Sequence, residues 1–397
     1  MLKRASFVVL MLAIPLATAG FLYLTYWGFH VPARGDIKVV SLRPGWASNP
    51  HVRQLASWLI YQNNRLVFDS AKKAIDDNIP DIVKANGTEY RDGWAQVLAF
   101  VLMPGTSGAL QPNVRSKFVN TNDLGYRGSQ NYLAQVAEAA RLKAGGTKIA
   151  VLTGGSVAYG LYSDNDDTDI VGHLNRLARE RGDAIRFYNF AMGSYTSADE
   201  LNALVTYAAA LEPDLLIAFH GFNDAIRLTE STTYNMGIGV PSMYRAFRGT
   251  HPIAFKSEYL DRVYDVENIS PEQEIEFFEF YSRNIRLMSS IMSGEGKGMV
   301  VATQPVSWFR NVCYKNPSKF LSDFARFYPK MIAAARSISA KQAITYLDLT
   351  GAFEGPADRC QGTFADSVHM TSAGQRVMAE HLYPASIKAL SQRVPAK

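Results

Sequence analysis

From about residue 148 the chain alternates short, continuously apolar runs with segments whose apolar residues recur every three or four positions. "KIAVLT" (148–153), "RFYNFAM" (186–192), "DLLIAF" (214–219), "GMVVAT" (298–303) and "ITYLDL" (344–349) have the length and composition of buried strands. Helical patterns lie between them. One covers about 168–181, with Ile170, Leu174 and Leu177 on one face and Gly182 just past its end. A second follows Ser197 and Glu200, which have capping-box spacing, and sets Leu201, Leu204, Val205, Ala208 and Leu211 on one face. A third starts at Ser270-Pro271, a cap followed by proline at the first helical position, and turns Ile275, Phe278, Ile285 and Met288 inward. A last helix begins after Thr371. Five strands alternating with helices predict an α/β fold, a parallel sheet with helices on both faces. Ligands of such sheets sit beyond the carboxyl ends of the strands, so functional residues are expected just after strands.

Residues 36–115 do not follow this rhythm. They carry expected helices around 51–75 and 91–103 and read as a helical neck ahead of a catalytic domain at 116–397. Residues 225–269 form a long connection rich in aromatic residues, either a lid or binding surface or an insertion packed over the sheet.

The first 35 residues differ again. Lys3 and Arg4 precede "ASFVVLMLAIPLATAGFLYLTYWGF", and no further charge appears before Arg34. A membrane-spanning helix needs about 20 apolar residues, so this run is long enough. The basic pair favours a cytoplasmic N-terminus, with the remainder on the periplasmic or extracytoplasmic side of the inner (plasma) membrane. Arg34, Lys38 and Arg43 weaken that orientation signal without reversing it. Ala17-Thr18-Ala19 offers a signal-peptide cleavage site, but the apolar run continues through Phe21, Leu22, Leu24, Tyr26 and Trp27. An uncleaved single-pass anchor is the preferred reading.

Composition adds boundaries. Hydrophobic residues make up 47% of the chain and charged residues 19%, so a sizeable core is affordable and disorder is not expected. The net charge of +5, without a dense basic block, gives nucleic-acid binding no support. Cys313 and Cys360 are the only cysteines; in an exported chain they read as one disulfide, and otherwise as two small buried hydrophobes. No histidine pair has metal-ligand spacing, and no cofactor or metal is implied.

The chemistry-bearing candidates follow strands. Ser156 in "TGGSVAYG" comes directly after the first; alone it is as well read as a turn, and no Gly-Lys-Ser/Thr follows to make a phosphate loop. Gly193 in "AMGSYTS" follows the second strand and offers a backbone N–H or only a turn. Asn223 in "GFND" follows the third; its amide can meet a developing oxyanion, or it belongs to an Asn-Asp turn in which Asp224 is a cap. "DSVHMTSAG" puts Asp366 three residues before His369, a spacing that lets one turn set a carboxylate against one imidazole nitrogen and leave the other free.

These blocks, in this order, resemble the SGNH/GDSL hydrolase family over about residues 116–392. The resemblance implies a flavodoxin-like five-stranded sheet and a serine esterase. Ser156 would be the nucleophile, His369 its base and Asp366 the orienting acid, with Ser156, Gly193 and Asn223 as the oxyanion hole. The first block departs from the Gly-Asp-Ser-Leu pattern: Gly155 and Val157 replace the Asp and Leu. "NDLGYRG" (122–128) also looks like a segment that precedes the first strand in envelope-associated relatives, with Arg127 either a structural partner, the preferred reading, or a substrate contact. The expected substrate is an acyl ester, acetyl in the first instance, on an extracytoplasmic carbohydrate or, less simply, a lipid. The same residues would serve an O-acetyltransferase, and an anchored non-catalytic scaffold is the third reading. An α/β-hydrolase elbow fits less well, because Asp366 and His369 share one turn.

Overall fold

The protein is described by a computed structural model over residues 72–98, 109–225, 271–307, 319–354 and 362–392, apart from 74, 78 and 343. The expected anchor at 1–35, the 225–269 connection from residue 226 on and both cysteines, Cys313 and Cys360, lie outside the described residues. No described helix is long and apolar enough to cross a membrane.

The elements are α1 (Pro80–Val97, kinked at Gly87), α2 (Tyr132–Ala144), β1 (Lys148–Gly154), α3 (Ser156–Tyr159), α4 (Ile170–Arg181), β2 (Ile185–Asn189), α5 (Ser197–Thr206), β3 (Leu215–His220), α6 (Pro271–Gly294), β4 (Gly298–Thr303), α7 (Lys319–Lys341), β5 (Thr345–Asp348) and α8 (Ser372–Ser391). All five expected strands form. Together they make one parallel sheet in the order β2-β1-β3-β4-β5. From Ile149 onwards β1 is buried, as are β3 and β4 throughout, which is why they read as unbroken apolar runs and not as alternating ones. The chain goes one way from β1 to β2 and then returns past β1 to β3, so the switch point lies at the carboxyl ends of β1 and β3. Ser156 and Asn223 follow those two strands.

Helix positions differ from expectation where the buried stripe is not the obvious apolar one. In α6 the stripe is Phe277, Tyr281, Ile285, Met288 and Met292; Ile275, expected inward, is exposed. In the helix after β2, Val205 is likewise exposed and the α-helix ends at Thr206, with Ala208–Leu211 forming a 3₁₀ turn. The capping box of α5 is Thr196 with Asp199, one residue earlier than the expected Ser197 and Glu200. Glu200 turns inward: its carboxylate accepts from Thr153 Oγ1 at 2.9 Å and lies 3.2 Å from His220 Nδ1, all three side chains being buried. Burial pushes the His220 imidazole toward the neutral form, yet the Glu200 carboxylate outweighs it and holds the pKa above its ordinary value.

The segment ahead of the sheet is packed into the same core. Tyr90 and Trp94 of α1 are fully buried, and Tyr90 Oη donates to the Tyr162 carbonyl at 2.9 Å. Arg127 is a buried tie, as expected. Nη1 donates to the Gly160 carbonyl at 2.7 Å and Nη2 to that of Phe118 at 3.2 Å, and Nε pairs with Asp166 at 3.1 Å and Asp169 at 3.6 Å.

Asp169 caps α4 by accepting from the Gly172 N–H, and also accepts from Asn189 Nδ2. Burial pushes its pKa up to about 6, against the pull of Arg127 and these donors. A carboxyl whose folded pKa is raised gives stability that is full below its ordinary pKa and lost as pH rises through about 6. Asp169→Asn is therefore expected to gain melting temperature relative to wild type as pH climbs from about 4 to about 7. Thermal denaturation across that range checks it; a wild-type-to-variant gap independent of pH would contradict it.

Candidate active site

At the end of β1 the backbone turns sharply. Gly154 has φ +152°, and a Cβ there would lie 2.2 Å from the Phe219 carbonyl oxygen of β3. Only glycine allows that close approach. Ser156 then opens the single turn α3, so its N–H has no intrahelical acceptor.

Ser156 Oγ is 2.8 Å from His369 Nε2, although the two residues are 213 positions apart. His369 Nδ1 is 2.7 Å from Asp366 Oδ2, while Asp366 Oδ1 accepts the backbone N–H groups of Val368 and His369 at 2.8 and 2.7 Å. These bonds explain why the Asp-x-x-His spacing works: one carboxylate organises the turn with one oxygen and the ring with the other. Burial alone would raise the Asp366 pKa. The imidazole and the two N–H donors outweigh it, and the carboxyl stays below its ordinary range. An ionised Asp366 keeps the proton on Nδ1 and leaves the Nε2 lone pair facing the hydroxyl. The His369 and Asp366 side chains are 21% and 17% exposed, so the pair is not sealed from solvent.

Asn223 Nδ2 donates to the Tyr195 carbonyl at 2.9 Å. An amide nitrogen carries two hydrogens, so this bond orients the group and leaves a second donor. The neighbouring Asp224 accepts from the N–H and Oγ of Ser197, and Asn284 Nδ2 also reaches that Oγ at 3.0 Å. Asp224, expected to be a cap or turn residue, ties the β3 loop to the first turn of α5. Gly193 is buried in the loop after β2, next to Ser194, whose φ of +66° marks a tight turn. That loop is fastened to β1 by Met192 N–H donating to the Gly154 carbonyl at 3.0 Å. The structure thus joins Ser156, His369 and Asp366 by hydrogen bonds and sets the Asn223 amide beside Gly155, where an added Cβ would lie 2.4 Å from Nδ2. Among the described residues no group of three or more His, Cys, Asp or Glu is placed to hold a metal ion.

Three further residues contribute. Tyr195 supplies the carbonyl that holds Asn223, Asp224 supplies the tie just described, and Tyr162 packs its ring against His369. No sequence signal marks Tyr162 or Tyr195, because one acts through its backbone and the other through ring contact.

A hydroxyl, an imidazole and a carboxylate joined at the rim of a parallel α/β sheet define a serine hydrolase. The family model described as GDSL-like Lipase/Acylhydrolase matches residues 144–382, from just before β1 into α8, and the chain belongs to this family. No curated protein matches the sequence. Several solved structures resemble it. A putative GDSL-like lipase from Parabacteroides merdae is 13% identical, with 60% of this chain and 95% of that one covered at a TM-score of 0.41. The lipase/acylhydrolase from Enterococcus faecalis is 18% identical, with coverage of 60% and 94% and a TM-score of 0.37. A mutant of an acetyl-xylooligosaccharide esterase from Geobacillus Stearmophilus is 14% identical, with coverage of 62% and 94% and a TM-score of 0.40.

Gly155 stands where the Gly-Asp-Ser-Leu motif has its Asp. The space beside Gly155 is filled by the Asn223 amide, which Tyr195 pins in place. Gly155→Asp, which restores the family residue, is therefore expected to lower turnover by about tenfold or more by displacing that amide. Steady-state kinetics on p-nitrophenyl acetate checks this; an Asp variant as fast as wild type would show that Asn223 yields without consequence.

Proposed function

We propose that this acylhydrolase removes an acyl group, acetyl in the first instance, from a hydroxyl ester of a carbohydrate outside the cytoplasm, while its N-terminal segment anchors it in the inner membrane. The hydrogen-bonded series Asp366–His369–Ser156 carries the catalytic part of this reading. Ser156 Oγ attacks the ester carbonyl as His369 Nε2 takes its proton; the alkoxide leaves with that proton, and water, activated by the same nitrogen, releases the acid. The oxyanion is met by Asn223 and the N–H groups of Gly193 and Ser156. The anchor and the extracytoplasmic substrate are supported by the apolar stretch behind Lys3 and Arg4.

The test is an ester panel on the full chain in detergent, from acetyl to long acyl and from sugar to glycerol, each with Ser156→Ala as control. Acetate release from acetylated sugar that depends on Ser156 is the expected result. Faster cleavage of long-chain glycerol esters would move the substrate to lipid. Acetyl transfer to an added glycan in preference to water would make the enzyme a transferase.

A further inference from the structure

The catalytic turn at 156–163 contains one side chain whose backbone is unfavourable for it. Tyr162 has φ +68°, a left-handed conformation that non-glycine residues adopt only where the surroundings over-determine it. Its surroundings do so from two sides. Its carbonyl accepts from Tyr90 Oη of α1 at 2.9 Å. Its ring, almost wholly buried, lies between Trp94 of the same helix (centroids 5.8 Å apart, planes at 70°) and His369 (5.3 Å, 83°). Trp94 is held in turn: it is fully buried, and the Arg127 guanidinium lies over its ring at 5.4 Å. A column of rings therefore runs from the helix ahead of the sheet to the imidazole.

We propose that Tyr162 is a positioning residue, braced by α1, that fixes the plane of the His369 ring for proton exchange with Ser156. The inference rests on the hydrolase reading above. Asp366 holds the imidazole at one atom, Nδ1, and that bond alone does not fix the plane of the ring. Nε2 stays on line with Ser156 Oγ only if something restrains the ring sideways, and the nearly perpendicular Tyr162 ring supplies an edge-to-face restraint. The strained backbone is what brings the ring there, and the Tyr90 and Trp94 contacts are what keep the strain in place. α1 thereby acts on catalysis without touching substrate.

The experiment measures kcat, KM and melting temperature on p-nitrophenyl acetate for the full chain carrying Tyr162→Gly, Tyr162→Leu, Tyr162→Phe or Trp94→Leu. Glycine suits the left-handed backbone, so Tyr162→Gly deletes the ring without adding strain. Tyr162→Gly and Tyr162→Leu are expected to lose about 10–100-fold in kcat with KM within about twofold, the signature of misplacement and not of lost binding. Tyr162→Phe, which keeps the ring, is expected to restore most of kcat. Trp94→Leu is expected to reproduce part of the loss from a distance. A folded Tyr162→Gly or Tyr162→Leu with wild-type kcat, a loss carried by KM, or a Phe variant as slow as the Gly variant would each overturn the proposal. Failure of the hydrolase reading looks different: Ser156→Ala would then be as active as wild type, whatever Tyr162 does.

Discussion

Deleting Ser156 and His369 together is expected to slow ester hydrolysis no further than deleting either alone, each variant losing about 10⁴-fold or more in kcat. The reason is the shared proton. A serine hydroxyl is a poor nucleophile until a base removes its hydrogen, and His369 Nε2 lies 2.8 Å from Ser156 Oγ. With Ser156→Ala there is nothing for the imidazole to deprotonate, and with His369→Ala nothing accepts the proton, so the first deletion already forfeits what the second would remove. Asp366→Asn should fall short of that loss. It keeps the shape of the turn but offers Nδ1 a different partner, disturbing the tautomer that aims the lone pair at Ser156. Single-turnover kinetics on p-nitrophenyl acetate with the two single variants and the double variant reads the coupling. Strictly multiplicative losses would mean that the two side chains act separately and would end the nucleophile–base assignment.

The strands were legible because a strand buried on both faces has to be apolar at every position, and β1, β3 and β4 are such strands. Helices were less legible where burial and hydrophobicity part company. In α2 the stripe Tyr132, Val136, Ala139 and Leu142 packs against the core, but polar Gln135 is buried beside it and apolar Leu133 is exposed. The start of α5 reads "TSADE", in which Thr196 with Asp199 and Ser197 with Glu200 share the same spacing. What decides between them is tertiary: His220 and Thr153 draw Glu200 into the interior, and Asp224 claims Ser197. The hydrogen-bonded series Asp366–His369–Ser156 was legible through topology as well as motif. Ser156, Gly193, Asn223 and His369 are each weak alone, and the rule that function gathers at carboxyl ends of strands is what made them one expectation. Tyr162 and Tyr195 escaped because ring packing and a backbone carbonyl leave no trace in a one-dimensional pattern.

Asn223→Ala is expected to lower kcat by about 10²–10³ while KM changes little, the loss typical of removing one oxyanion donor. The ground-state ester carbonyl carries only a partial charge, and the tetrahedral intermediate carries a full one. A donor oriented before the reaction therefore acts mainly on the second. Here the orientation is visible: Tyr195 takes one amide hydrogen at 2.9 Å, and the bulk of any side chain at position 155 is absent, so the amide is fixed beside the turn that carries Ser156. Asn223→Asp should be at least as damaging as Asn223→Ala, since a carboxylate would face both the Tyr195 carbonyl and the developing negative charge with no hydrogen to offer. The Asp224 tie to Ser197 lies on the neighbouring residue and remains in both variants, so the loop should keep its place. Parallel kcat and KM measurements with a melting curve for each variant decide the matter. A folded Asn223→Ala within about threefold of wild-type kcat would remove the amide from the oxyanion hole and leave backbone N–H groups to carry that charge.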